Sequence, residues 1–298
     1  MKKLYYLECL IAAVLLVLAT VMVSDSGNVA LRVFGSKSMA GIVDSYSKQF
    51  ETAHPGQRVV VLGTDTTRGS SAVLDGLADV AMVTKPPSKE IELAVARNGV
   101  KLEKHQIGWG GIVLIANADM PVKELSLEQV EKMFTGEYVN WNQVGGPDLN
   151  IRLICLDPEL HGEGEWFQRN VIKEAPFSAA RYSVPSSRLV MLHAAGDKRS
   201  LGYAAFGIYQ RYLKSREKWL SAIKIVRVRR SVESPAILPT LNTITNKMYP
   251  LLVPLYLCIN SESAKANAKL FVEFCADHSK QSLAKSREAM AADSILSQ

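Results

Sequence analysis

Val61–Ser88 reads VLGTDTTRGSSAVLDGLADVAMVTKPPS and contains a strand, a loop, a helix and another strand, in that order. The apolar run before Gly63 predicts the first strand, and SSAVLDGLADVAMV predicts a helix followed by the second. Upstream, VALRVFG and AGIVDSYSKQFETAHPG predict a buried strand and an amphipathic helix that ends at Pro55 and Gly56. This alternation predicts an α/β fold, in which ligands lie where strands end and helices begin.

Three loops at such strand ends carry chemistry suited to an oxyanion. They are GSKS (Gly35–Ser38), GTDTTRGSS (Gly63–Ser71) and TKPPS (Thr84–Ser88), and each is rich in backbone donors, hydroxyls or cations. A helix N-terminus adds free N–H groups and the positive end of a dipole. Ser and Thr at these positions are also ordinary helix N-caps, so both interpretations remain open.

Length and charge define the class of protein. The chain has 298 residues, of which 48% are hydrophobic, enough for one large core or two modest ones. We therefore expect two lobes. The formal net charge of +6 is modest and scattered, and the sequence has no basic stripe interleaved with aromatic residues. Nucleic acid is not an expected partner.

The N-terminal segment predicts export. Lys2 and Lys3 precede an apolar run of 14 residues, Leu10–Val23, and small residues follow it. A membrane-spanning helix needs about 20 apolar residues, so the run is short for a permanent anchor, although Leu4–Leu7 extends it. We expect residues 1–27 to act as an export signal, or to anchor the chain through residues 4–23, and the rest to lie in the periplasm or another extracytoplasmic space.

Nothing in the sequence predicts an enzyme, a metal site or a cofactor. Cys155, Cys258 and Cys275 lie in apolar stretches and are expected to be buried thiols. The cysteines and histidines lack the spacing of a zinc site. The chain contains no G-x-S-x-G motif, and no base is placed beside a serine.

Five segments resemble, in the same order, the periplasmic phosphate-binding proteins of ABC importers. They are VFGSKSMAGIVDSYSKQFETAHPG, VLGTDTTRGSSAVLDGLADVAMVTKPPS, LSLEQVEKMFTGEYVNWNQVGG, SLGYAAFGIY and YPLLVPLYLCIN. The first two resemble the family's G-S-T-T strand and helix and its G-G-G-S-G loop, which leads to an A-S-R-P run. Each segment alone is weak, but five in the family's order are specific.

The resemblance implies a two-lobed periplasmic-binding-protein fold of type II, with two α/β lobes joined by a two-strand hinge. Lobe 1 would comprise residues 28–111 and 255–298, and lobe 2 residues 112–254, including the returning hinge strand. The implied function is that of an exported solute-binding protein that captures a small, phosphate-like oxyanion in the interlobe cleft. The implied partner is the membrane component of an ABC transporter.

The same resemblance implies binding residues in lobe 1. The family's first loop, its G-S-G loop and its A-S-R segment fall on Ser36, Lys37, Ser38, Thr66, Thr67, Arg68, Thr84 and Lys85.

Lobe 2 departs from the family pattern. The family's S-G-T tripeptide, which wraps phosphate at a helix start, falls on His161, Gly162 and Glu163, and a preceding arginine falls on Asp157. One carboxylate about 4 Å from a bound anion costs roughly 4 kcal/mol at an effective dielectric constant near 20. Tight phosphate binding of the family's kind is therefore in question.

The acids of lobe 2 allow three interpretations. Glu163 and Glu165 could simply complement the dipole at the start of a helix. Alternatively, cations on lobe 1 and acids on lobe 2 could favour a zwitterionic solute. The charges could also close the cleft by salt bridges, so that the protein binds no solute and acts as a sensor or interaction module.

Overall fold

The computed structural model describes residues 30–85, 89–97, 101–158, 161–173, 175–215 and 217–280. The predicted signal or anchor at residues 1–27 and the end of the TKPPS loop lie outside the described residues. Within the described ranges, no helix is both long enough and apolar enough to cross a bilayer.

Strands and helices alternate along the chain, as the sequence predicts. In chain order they are β1 (Leu31–Ser36), α1 (Ala40–Ala53), β2 (Val59–Thr64), α2 (Thr66–Leu74), β3 (Val80–Val83), α3 (Lys89–Arg97), β4 (Leu102–Asn117), β5 (Glu124–Ser126), α4 (Leu127–Thr135), β6 (Arg152–Leu156), α5 (Gly162–Asn170), β7 (Tyr182–Val184), α6 (Ser187–Gly196), β8 (Ser200–Ala205), α7 (Phe206–Ser215), β9 (Ile223–Arg229), α8 (Leu241–Thr245) and β10 (Leu252–Asn260). Residues 266–280 are also helical.

One long strand connects the two halves of the sheet. The strands follow the order β2-β1-β3-β10-β4-β8-β6-β7. The first part of β4, through Gly111, pairs with β10, and the part from Ile112 onward pairs with β8 and β9. Next to this crossing, the N–H of Ile112 donates to the carbonyl of Leu251 at 2.9 Å. The chain therefore leaves and re-enters the first half of the sheet at adjacent points, which is the arrangement of a two-strand hinge.

Each half of the sheet has its own hydrophobic core. In the first, Phe50 and Phe271 meet edge to face with ring centroids 5.2 Å apart. In the second, Phe167 and Tyr203 stack at 4.0 Å. Because Val253 belongs to the second core and Leu255 to the first, we propose that the lobes divide at 111/112 and 254/255.

The three cysteines of the described residues are all in apolar clusters: Cys155 in the second core, Cys275 in the first, and Cys258 in a smaller third cluster. Cys155, Cys258 and Cys275 are buried and have free thiols, which confirms the prediction from sequence. Burial raises the pKa of the Cys155 and Cys258 thiols to about 12. At neutral pH these thiols remain protonated and act as small apolar groups.

The two lobes touch across the cleft. A Cβ atom at Gly162 of lobe 2 would lie 2.8 Å from Thr84 Oγ1, and one at Gly207 would lie 2.5 Å from the carbonyl oxygen of Ser38. The contact at Gly207 requires glycine because a Cβ atom would meet backbone, whereas at Gly162 the Thr84 side chain would have to move. The two lobes are therefore in a closed arrangement.

An ion pair joins the lobes beside these contacts. Lys85 Nζ lies 2.9 Å from Glu165 Oε2, and the two side chains are only 11% and 28% exposed. Glu165 also lies 3.2 Å from Arg169 on the same helix. Glu165 thus fits two of the three interpretations of the lobe 2 acids: it lies in the first turn of its helix, where it complements the dipole, and it forms a salt bridge across the cleft.

Breaking this ion pair should shift the lobes toward an open form. We expect Lys85→Gln and Glu165→Gln each to reduce the ratio of closed to open molecules about fivefold, since a half-buried pair of this kind contributes about 1 kcal/mol. The measurement is the distance between spin labels on the two lobes, determined by pulsed electron paramagnetic resonance.

A double variant tests whether the two residues act as a pair. Lys85→Gln combined with Glu165→Gln should open the lobes no further than either single change does. Lys132→Gln is the control, because Lys132 pairs with Glu128 inside one helix of lobe 2. Single variants with the same distance distribution as the parent would show that the ion pair does not hold the lobes closed.

Candidate functional site

A cavity of about 370 Å³ lies between the lobes, where five helices begin. Residues at or just before the starts of α1, α2, α5, α6 and α7 line it. The parallel strands of each lobe end at one edge of the sheet, so the loops that follow them converge on the same space. The cavity therefore collects the positive ends of several helix dipoles.

The lobe 1 wall begins with the loop after β1. Ser36 is 5% exposed, and its hydroxyl lies 2.8 Å from that of Ser38. The N-cap residue of α1 is Met39, and no side chain caps this helix. Ser36 and Ser38 are thus not N-caps, and both line the cavity together with Lys37.

The second part of this wall is the start of α2. Its N-cap is Asp65, whose side chain accepts a hydrogen bond of 2.9 Å from the N–H of Arg68. The N-cap interpretation is therefore wrong for Thr66 as well. Thr66 is buried, and its Oγ1 lies 3.3 Å from Thr84 Oγ1. Arg68 extends into solvent at the cavity's edge, 81% exposed and 3.4 Å from Asp65.

The lobe 2 wall contains the tripeptide that departs from the family pattern. His161 is the N-cap residue of α5 but its side chain makes no capping hydrogen bond, and Gly162 and Glu163 follow in the first turn. Glu163 is only 9% exposed and lines the cavity. Among the described residues, its carboxylate has no hydrogen-bond or ion-pair partner. The carboxylate is open to the cavity, so a cationic group of a ligand can reach it and pair with it.

Two further groups in lobe 2 line the cavity and were missed from the sequence. Ser186, Ser187 and Arg188 lie at the start of α6, and Arg211 and Tyr212 lie on α7. The run Pro185-Ser186-Ser187 is a helix-start signal that could have indicated the first group. No local signal could have indicated Arg211, because only the packing of α7 brings it to the cavity.

These residues change the expected charge distribution. Of the residues that the structure describes, four with cationic side chains, Lys37, Arg68, Arg188 and Arg211, and two with acidic ones, Asp65 and Glu163, line the cavity. Lobe 2 thus supplies cations as well as an acid, so a simple division into a basic lobe and an acidic lobe is wrong. Within the described ranges, no group of three or more His, Cys, Asp or Glu residues could hold a metal ion.

Eight of the eleven predicted binding residues line this cavity. They are Ser36, Lys37, Ser38, Thr66, Arg68, His161, Gly162 and Glu163, and their contact with a ligand remains a prediction. Thr84 lines a neighbouring cavity, whereas Lys85 forms an ion pair with Glu165. Thr67 and Asp157 lie outside the walls of both cavities.

Comparison with known proteins agrees with this architecture. The phosphate-binding protein PstS of Staphylococcus haemolyticus is 24% identical over 245 residues, which is 80% of this chain and 74% of that protein. A substrate-binding protein of a phosphate ABC transporter from Clostridium perfringens, solved with bound phosphate, has a TM-score of 0.67 at 21% identity. The alignment covers 87% of this chain and 98% of that one.

A second solved structure and a family match give the same result. An ABC-type phosphate transport receptor from Vibrio cholerae has a TM-score of 0.61 at 23% identity, covering 85% of this chain and 96% of that one. The resemblance carried by the five sequence segments is thereby confirmed. The family described as the PBP superfamily domain matches residues 23–279. The chain therefore belongs to the PBP superfamily domain family and has its two-lobed α/β fold.

Proposed function

We propose that this protein is the solute-binding component of an ABC importer and captures a small, phosphate-like oxyanion between its lobes. The membrane component of that importer is the partner to which it delivers the solute. In this role the protein binds and releases its solute without converting it. The observation that carries the proposal is the convergence of five helix starts and four cationic side chains on one interlobe cavity.

The electrostatics of the cavity favour an anion. The N–H groups in the first turn of a helix have no partner within the helix, and their dipoles favour negative charge. Helix α5 has no capping side chain, so its first turn is available to a ligand. An oxyanion bound there receives hydrogen bonds from backbone groups as well as from Ser36 and Ser38.

The closed lobes fit a binding protein that surrounds its solute. Closure excludes water, and charge-assisted hydrogen bonds are stronger in such a space than in bulk solvent. The hinge at β4 and β10 allows the lobes to separate for entry and release. Export through residues 1–27 would place the protein outside the cytoplasmic membrane, where an importer takes up its solute.

Removing one cavity hydroxyl tests the proposal. We expect Ser36→Ala to weaken binding of inorganic phosphate by about tenfold, because a hydrogen bond to a charged group contributes roughly 1.5–3 kcal/mol. The measurement is isothermal titration calorimetry on the full-length protein, with sulfate titrated in parallel.

The matched control removes a buried hydroxyl elsewhere in lobe 1. Ser47 is 3% exposed and donates to the carbonyl of Asp44 outside the cavity, so Ser47→Ala should leave anion affinity unchanged. An equal loss of phosphate affinity in Ser36→Ala and Ser47→Ala would mean that both changes act by disturbing the fold and not by removing a ligand contact. If the parent binds no anion or other small solute at millimolar concentration, the sensor or interaction-module interpretation replaces this one.

A further inference from the structure

A second cavity of about 420 Å³ adjoins the first. Its lining is mostly apolar and includes Ile42, Trp109, Phe206, Ile244 and Leu255. The walls of the two cavities share Ser38, Glu163, Ala205 and Arg211. A single tetrahedral ion needs neither this volume nor this apolar surface, whereas each cavity is in the size range of about 300–1,000 Å³ that holds small organic molecules.

Glu163 lies at the junction of the two cavities. It is more than nine-tenths buried and, among the described residues, has no partner for its carboxylate. An acid without a partner opposes a simple anion and attracts a cation. Three of the cations, Lys37, Arg68 and Arg188, line only the first cavity, whereas Glu163 lines both. An anionic group among these three cations therefore leaves the junction with the second cavity to a group that pairs with Glu163.

We propose that the solute carries an ammonium group bound by Glu163 and an apolar substituent that enters the second cavity, in addition to its oxyanion. This inference rests on the proposed function and names the solute class of that site. The oxyanion lies against the helix starts, and the ammonium group donates to the Glu163 carboxylate. Glu163 is then the residue that selects ammonium-bearing oxyanions over simple ones.

The protein's own cations do not take this place. Arg211 lines both cavities but is exposed and, among the described residues, makes no ion pair with Glu163. Lys214 lines only the apolar cavity and is also exposed. An ammonium group enclosed with Glu163 interacts with it at lower effective dielectric than these solvated side chains do.

Matched pairs of probes test the ammonium group. The first pair is 2-aminoethylphosphonate and propylphosphonate, and the second is leucine and 4-methylpentanoate; the members of each pair differ chiefly in the ammonium group. By calorimetry on the full-length protein, we expect the ammonium-bearing member of at least one pair to bind at least about tenfold more tightly. The pair that binds shows whether the oxyanion is a phosphonate or a carboxylate.

Glu163→Gln keeps the size of the side chain and removes its charge. We expect the preference for the ammonium-bearing probe to fall below about threefold in this variant. Glu233→Gln makes the same charge change at an exposed residue outside both cavities and should keep the preference. A preference that persists in Glu163→Gln would overturn the assignment to Glu163.

Filling the apolar cavity tests the third part of the proposal. Gly41 lines this cavity on α1, and a Cβ atom there would have no heavy atom within 4 Å. Gly41→Leu therefore adds side-chain volume at this wall with room for its Cβ atom, and leucine is also favoured over glycine within a helix. Leucine and glycine are the probes, because they differ only in the apolar side chain. In Gly41→Leu we expect the affinity for leucine to fall about tenfold and the affinity for glycine to change by less than about twofold.

The outcomes separate this inference from the proposed function. If oxyanions bind but the ammonium group gives no preference, this inference is wrong and the proposed function stands. If Gly41→Leu weakens the binding of glycine and of leucine equally, or the binding of neither, the apolar cavity is not part of the site. If no probe binds, with or without an ammonium group, both proposals fail.

Discussion

The hydrogen bonding of strand β4 is the constraint on which the rest of this structure depends. One strand pairs with β10 in lobe 1 and with β8 and β9 in lobe 2. Because buried backbone groups must be paired, neither lobe can lose this strand without exposing a row of donors and acceptors. The lobes are therefore joined along β4 and β10, and the edges of the sheet where helices begin face each other across the cleft.

Closure then depends on small side chains and one ion pair. Gly162 and Gly207 let lobe 2 approach Thr84 and Ser38 of lobe 1. Lys85 and Glu165 form an ion pair across the same gap. Lys85 matches a ligand-binding position of the family, but here its side chain contacts the other lobe. The lobes touch through these contacts and still leave a partly open cavity between them.

The character of that cavity results from a balance between helix dipoles and one acid. Five helix starts and four cations favour an oxyanion. Glu163 opposes a simple anion from within the same wall, and no partner among the described residues neutralises it. A solute that carries both charges satisfies the two requirements together, which is why we propose that the departure from the family's S-G-T tripeptide goes with a change of solute.

The sequence by itself determined the alternation of strands and helices, the loops at the strand ends and the departure at His161–Glu163, because each of these is a local pattern of residue types. Only the tertiary structure decided which side chains share the cavity. Arg188 and Arg211 line the cavity because of how their helices pack. Lys85 pairs with Glu165 because the two lobes meet across the cleft. Periodicity reports which face of an element is buried, but the partner that covers this face depends on contacts distant in sequence.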